Sequence, residues 1–414
     1  MQRLLSVLLL GAAVGAAQNE SPITRDGGYW VRTMQGVIDA PSGGQLRVET
    51  TGNVTLRGAA AAPGTATEQS SYRLVVRVRA EDAHEARSLL ERVSVKTGTE
   101  GGWAFLKVTP PRLVSSGLDL MVTGSRALRK VRADTRGGNV QASDWDGDFE
   151  ARSAGGRIAV DRIRGRSELR TAGGAIEVGN VSGPVRCFSG GGAIRVENAG
   201  AEAWLETVGG EIFVHHAGGP VQASTGGGNI RIESAASTVV ARTAGGLIQV
   251  QQAGGPVTAE SSGGAILVNS ANGVRCESAG GAIRLRNVAG AVHAFANSGS
   301  IMAELGSGEA SGGAPGQAAG KDPAAETRGK TMTDSVLSTN AGDITVFIPS
   351  NLALTVQAMN ESGGVGRIHS DFPQVQTQPA GPWGGSVAEG ALNGGGPLLR
   401  LNVAGGTIYL RRAK

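Results

Sequence analysis

Aromatic residues are scarce in this 414-residue chain: Phe, Trp and Tyr together make up 4% of it. Any core must therefore be built from Ile, Val, Leu and Ala. Cysteine is rarer still, with Cys187 and Cys276 alone, too few for a disulfide-stapled scaffold. No apolar run is long enough to span a bilayer except at the very start. Charge of one sign is lacking too. The formal net charge is +4 and most charges are interspersed, without the basic stripe and stacking aromatics of a nucleic-acid binder. One cluster, Arg157, Arg162, Arg164, Arg166 and Arg170, is relieved by Asp161 and Glu168 and reads as a solvated face.

Glycine is abundant, at 67 residues, yet it does not recur at every third position as collagen requires. Hydrophobic residues at 40% suffice for a core and argue against wholesale disorder. The opening MQRLLSVLLLGAAVGAA places Arg3 before the apolar stretch Leu4 to Leu10 and small residues after it. This is the layout of a signal peptide over residues 1–17, with cleavage expected after Ala17. The mature chain is then expected to be exported, without a transmembrane segment.

Internal repetition dominates the rest. Gly-Gly pairs begin at Gly137, Gly155, Gly173, Gly191, Gly209, Gly227, Gly245 and Gly263, a constant step of 18. The aliphatic residues Val140, Ile158, Ile176, Ile194, Ile212, Ile230, Ile248 and Ile266 keep the same step. One residue is then lost before Ile283, and the step resumes at Ile301. Each unit reads approximately S/T-x-G-G-x-I-x-V-x-x-x-x-G-x-V-x-A-x. Apolar residues alternate by two in each half, as in Ile230/Ile232 and Val221/Ala223, so each half is a strand with one buried face. Two short strands and two corners make one coil. The Gly-Gly corner is expected to exploit positive φ, and the second corner carries Gly183-Pro184, Gly219-Pro220 and Gly255-Pro256.

An isolated coil cannot close its own core, so coils must stack, placing like residues about 4.8 Å apart. The fold class is thus all-β: a parallel β-helix (β-solenoid) of about 18 residues per coil with an N-terminal α+β cap. Neighbouring solenoid types fail on register. Six residues past each Ile stand Arg164, Ser182, Gly200 and Gly218, not the aliphatics of a hexapeptide helix. The calcium-roll nonapeptide is also missing.

The domain reading is a signal peptide at 1–17; strands and a helix forming a cap region at 18–134; the 18-residue-repeat solenoid at 135–305; a flexible Gly/Ala/Pro-rich loop at 306–330; and C-terminal solenoid coils at 331–414. Within the cap, Tyr72 to Val78 reads as a strand, and Asp82 to Val93 as a helix with Ala86, Leu89, Leu90 and Val93 on one face. Further strands follow at 93–96, 104–109 and 118–122.

The G-x-I-x-V array and the stretch Thr339 to Pro349 (TNAGDITVFIP) resemble the bacterial putative-adhesin β-strand-repeat domain family, over roughly residues 30 to 412. That resemblance implies a β-helical envelope or surface protein and supplies no set of binding residues.

Candidate chemistry is sparse. Cys187 and Cys276 share the inward slot of Ala223, Ala241 and Ala259, some five coils or about 24 Å apart, and are expected to be free buried thiols. Asp144, Asp146 and Asp148 form the one weak metal candidate; Phe149 and Gly155 break an EF-hand match. Thr171, Ser189, Thr207, Thr225, Thr243 and Ser261 form a hydroxyl ladder. It would order ice if it faced outward, but its parity matches the inward Val and Ala and favours a hydrogen-bonded corner. His215 and His216, as strand neighbours, should face opposite ways. Arg186, Phe188 and Trp204 form an outward platform suited to binding, with Phe213 and Phe295 elsewhere. No nucleophile elbow, phosphate loop or stacked acids are evident.

The expected function is a non-catalytic exported β-solenoid, adhesin-like or structural in the cell envelope or at the surface, binding through its sheet faces. Its expected location is periplasmic, cell-surface or secreted, in a bacterium. No cofactor is expected. The expected partners are a cell-surface glycan or an envelope protein, with self-association through solenoid ends or edges. The alternatives are a polysaccharide-active β-helix enzyme (lyase or hydrolase) and an envelope sensor or scaffold.

Overall fold

A buried hydroxyl three residues before a glycine, and an aliphatic pair after it, recur through nearly every coil and set how one coil sits on the next. The computed structural model describes residues 19–60, 70–110, 116–306, 333–362, 367–380 and 384–413. The signal-like segment 1–17 and nearly all of the Gly/Ala/Pro-rich segment 306–330 lie outside the described residues. The chain is an all-β parallel solenoid, with one short helix among the described residues, and it divides into two units, Met1–Thr171 and Ala172–Lys414.

In the second unit, Ile194 pairs in parallel with Ile212, and Ile212 with Ile230, a step of 18 in each case. The opposite strands repeat the step: Val185 with Ala203, Ala203 with Val221, Val221 with Val239. In the first unit Val140 pairs with Ile158 and Val131 with Phe149. Each coil buries more than a two-residue alternation suggests. After Ile194 and Val196 the next inward residue is Ala199, three places on. Trp145, Ile163, Val181, Ala217, Ala235 and Ala253 occupy the same slot. The two residues between face solvent together. His215 and His216 are therefore both exposed, contrary to the alternation rule, and His215 Nδ1 lies 2.6 Å from Glu233 Oε2.

The hydroxyl ladder is buried and fully used. Thr207 Oγ1 accepts from the Gly210 N–H of its own coil at 3.2 Å and donates to the Gly192 carbonyl of the preceding coil at 2.9 Å. Ser189, Thr225, Thr243 and Ser261 make the same pair of bonds in the second unit. Thr135 and Ser153 do so in the first. A column engaged this way offers no hydroxyl array to ice.

The reason for glycine differs from the expected one. None of the paired glycines from Gly137 to Gly264 takes a left-handed φ. Instead, a Cβ on the second glycine would strike the coil beneath: at Gly210 it would lie 2.1 Å from the Gly192 oxygen, at Gly228 1.9 Å from that of Gly210, at Gly246 2.0 Å from that of Gly228. The first glycine, as at Gly209 or Gly227, meets nothing within 4 Å.

Both chain ends depart from sequence order. In the first unit, Gln45–Thr50 lies between Lys130–Thr135 and Trp103–Thr109, and Asn53–Ala59 between Val140–Trp145 and Ser116–Ser125. The outer coil is then covered by antiparallel strands: Ser94–Glu100 on one sheet, Ser70–Val78 and Tyr29–Ile38 on the other. The helix Ala83–Glu91 packs on the last two and buries Ala86 and Leu90; Asp82 caps it, its carboxylate accepting from the Glu85 N–H. In the second unit the last strands, Leu398–Gly405 and Ile408–Arg412, are inserted between the coil of Ser335–Ala341 and Ile344–Ile348 and that of Leu354–Asn360 and Ile368–Ser370. Antiparallel Ser386–Leu392 and Gln376–Pro379 then cover Leu354–Asn360.

The clash at one glycine and open space at its neighbour predict opposite responses to one methyl. Gly210→Ala should lower unfolding free energy by about 1–3 kcal/mol, because the obstructing atom is backbone. Gly209→Ala should change it by less than about 1 kcal/mol. Chemical denaturation of the two variants beside the wild type checks this.

Candidate functional site

With the inward columns consumed by the core, chemistry must lie on the outward ones. On one sheet of the second unit the register stacks two such columns. The first runs Arg186, Trp204, Gln222, Val240, Thr258, Arg275 and His293; the second runs Phe188, Glu206, Ser224, Arg242, Glu260, Glu277 and Phe295. Arg186 lies over the Trp204 ring at 5.1 Å from its centroid. Phe188 and Trp204 are each 38% exposed.

Phe295 belongs to this same face, at 39% exposure, and not elsewhere. The residue lost between Val268 and Ile283 shifts the count by one, and allowing for it brings Phe295 into the Phe188 column. The same shift hid an acid pair. Glu260 and Glu277 are partners in adjacent coils, so stacked acids are present after all. Each is held by an arginine. Arg242 grips Glu260 through two bonds of 2.9 and 3.3 Å, and Arg275 Nη2 lies 2.6 Å from Glu277 Oε1. These residues line one flank of an open groove of about 830 Å³. Ser262, Ala279, Asn297 and Asn340, from the neighbouring corner, line the other, with Asn340 Nδ2 donating to Asn297 Oδ1 at 2.8 Å. The first unit has a smaller recess of about 340 Å³ that includes Trp103, Phe105, Arg47 and Arg132.

Asp144, Asp146 and Asp148 do not converge on a common point. Asp144 is clamped by Arg162 at 2.6 and 2.9 Å. Asp146 meets Arg126 at 2.9 Å and Arg164 at 3.3 Å. Asp148 accepts from the Arg166 backbone N–H. Among the described residues no group of three or more His, Cys, Asp or Glu is placed to hold a metal ion. The Arg162 hydrogen bonds hold the Asp144 carboxyl down at about 2.

Cys187 and Cys276 are free and buried, and burial pushes both thiols well above their ordinary range. Leu205, Ala223, Ala241 and Ala259 lie between them in one column. His293 stands outward between Arg275 and Val336, and His369 stacks on Tyr409 at 5.3 Å. Among the described residues no helix is long and apolar enough to cross a membrane.

No family model matches the chain, and no curated protein matches it. Several solved structures resemble it remotely. A putative adhesin of Bacteroides fragilis is 15% identical over 61% of this chain and 95% of its own, with a TM-score of 0.33. A putative lipid binding protein of Parabacteroides distasonis is 14% identical over 59% of this chain and 96% of its own, with a TM-score of 0.35. A putative cell adhesion protein of Clostridium sporogenes is 7% identical over 92% of this chain and 99% of its own, with a TM-score of 0.16. All are bacterial proteins, and likenesses this remote assign no function.

The Asp144 clamp predicts a pH dependence. A carboxyl depressed in the folded state adds stability that is complete above its unfolded value near 4 and is lost as pH falls toward 2. Melting temperature should therefore fall more steeply from pH 4 to pH 2 in the wild type than in Asp144→Asn. Calcium should leave both melting curves unmoved; a calcium-dependent rise would restore the metal reading of this turn.

Proposed function

We propose that the chain is a non-catalytic, exported β-solenoid of the bacterial cell envelope or surface, adhesin-like or structural, which makes contact through its outer sheet faces. One observation carries this reading. The core takes the inward aliphatics, yet the outward face of one sheet retains exposed Phe188, Trp204 and Phe295, the last of them lining a groove. Large exposed aromatics on an otherwise polar face favour a binding role. Because the coils stack in register, these side chains project from a rigid ladder, which lowers the entropy lost on contact. The partner on this reading is a cell-surface glycan or an envelope protein.

A second reading, a polysaccharide-active lyase or hydrolase, draws support from the Glu260–Glu277 stack. Against it, each carboxylate is already engaged by a guanidinium.

The test is binding of the purified mature protein to intact bacterial and host-cell surfaces, together with fractionation of the producing cell. Saturable binding that Trp204→Ala weakens by roughly tenfold or more, with an unchanged far-ultraviolet spectrum, is the expected result. Retention in the cytoplasm, or no surface binding, overturns the reading.

A further inference from the structure

We infer that the groove beside Phe295 is a binding track for a neutral, linear glycan chain lying across successive coils. This inference rests on the surface-binding reading and names the ligand of one site on that face.

The shape sets the class of occupant. The groove draws residues from the coil of Ser224 through those of Arg242, Glu260, Glu277 and Phe295 to that of Ser338. Five steps at the usual strand spacing give a length of about 24 Å. Its volume of about 830 Å³, spread over that length, matches the cross-section of one extended chain.

The lining sets the chemistry. Two arginines face two glutamates, so the lining charges cancel. A polyanionic chain gains nothing there, because each guanidinium is already matched. What the pairs do offer is local polarity. A guanidinium bound to one carboxylate keeps further N–H donors, and the carboxylate keeps free lone pairs. Donor and acceptor side by side fit a vicinal diol, in which each hydroxyl gives one hydrogen bond and takes another. Ser262, Asn297 and Asn340 extend the same mixed pattern along the other flank. Phe295, one coil before the far end, adds an exposed ring, a surface for the apolar C–H face of a sugar.

An extended peptide fits less well. It gains affinity by pairing its backbone with an open strand edge. Here the strands beneath the groove are interior members of the ladder, paired on both sides, as Val257–Ser261 is with its two neighbours. The track thus presents side chains alone.

The test is calorimetric titration of the full mature chain with cellohexaose, mannohexaose and chitohexaose, and with their disaccharides. Polygalacturonate and heparin serve as anionic comparators. At least one neutral hexaose should bind, and more tightly than its disaccharide. Phe295→Ala and Glu260→Gln should each weaken it about tenfold or more, while Trp204→Ala, outside the groove, leaves it within about twofold. Both groove positions are outward-facing, and thermal melts matching the wild type verify that the variants fold. Binding to none of the neutral chains, binding to the anionic chains alone, or affinity indifferent to Phe295→Ala overturns the inference. If cell surfaces are still bound in a Trp204-dependent way in that event, the proposed function stands and the glycan track alone falls. Release of shorter sugars from a bound hexaose upholds the track and overturns the non-catalytic reading instead.

Discussion

One buried hydrogen-bonded bracket recurs through this solenoid. A Ser or Thr hydroxyl takes a proton from the glycine amide three residues ahead and gives its own to the glycine carbonyl of the neighbouring coil, as Thr207 does between Gly210 and Gly192. That same carbonyl occupies the space a Cβ on Gly210 would need. The hydroxyl and the missing side chain are therefore one device. Without the glycine the coils cannot approach, and without the hydroxyl two backbone polar groups lose a partner in the core. In the outermost C-terminal coil the bracket is made by Asn360, whose amide donates to the Gly406 carbonyl at 2.8 Å. Different chemistry there meets the same requirement.

With one corner pinned in nearly every coil, the columns follow. Aliphatics fall over aliphatics inside, and the outer face becomes a ladder in which charge and aromatic character depend on a few substitutions. Arg242 meets Glu260, Arg186 meets Trp204, and Glu260 meets Glu277 because the step is constant to within the single residue lost before Ile283. The surface groove is a consequence of this regularity.

A ladder of parallel strands has two raw ends, and an exposed edge invites pairing with other chains. Both units answer by shuffling strand order. The coil containing Gln45–Thr50 is buried beneath one that follows it in sequence, and the closing strands Leu398–Gly405 and Ile408–Arg412 are slid inside the coil containing Leu354–Asn360. Antiparallel strands and the helix Ala83–Glu91 then cover what remains. Arg411 reinforces the outer join, resting on the Tyr409 ring and pairing with Asp371.

The repeat itself was legible because period and parity are local properties: Ile194 over Ile212, and the inward turn of Thr207, follow from counting. Three features were not. The third inward slot, Ala199 or Trp145, breaks strict alternation, so a search for every second residue passes over it. The steric role of Gly210 exists only between coils and leaves no trace within one. The strand order at the ends rests on long-range pairing that no local pattern encodes. The groove shows how a small error propagates: one missing residue before Ile283 separated Phe295 from its face and Glu277 from Glu260.

The most direct test of the bracket is the unfolding free energy of Thr207→Val beside Thr207→Ser. Valine keeps the shape and removes the hydroxyl; serine keeps the hydroxyl, as Ser189 and Ser261 already do. The account requires valine to cost about 1–3 kcal/mol, with serine close to the wild type. Valine unfolding at the wild-type midpoint would show that the coils are held by apolar packing alone, and the central claim would fail.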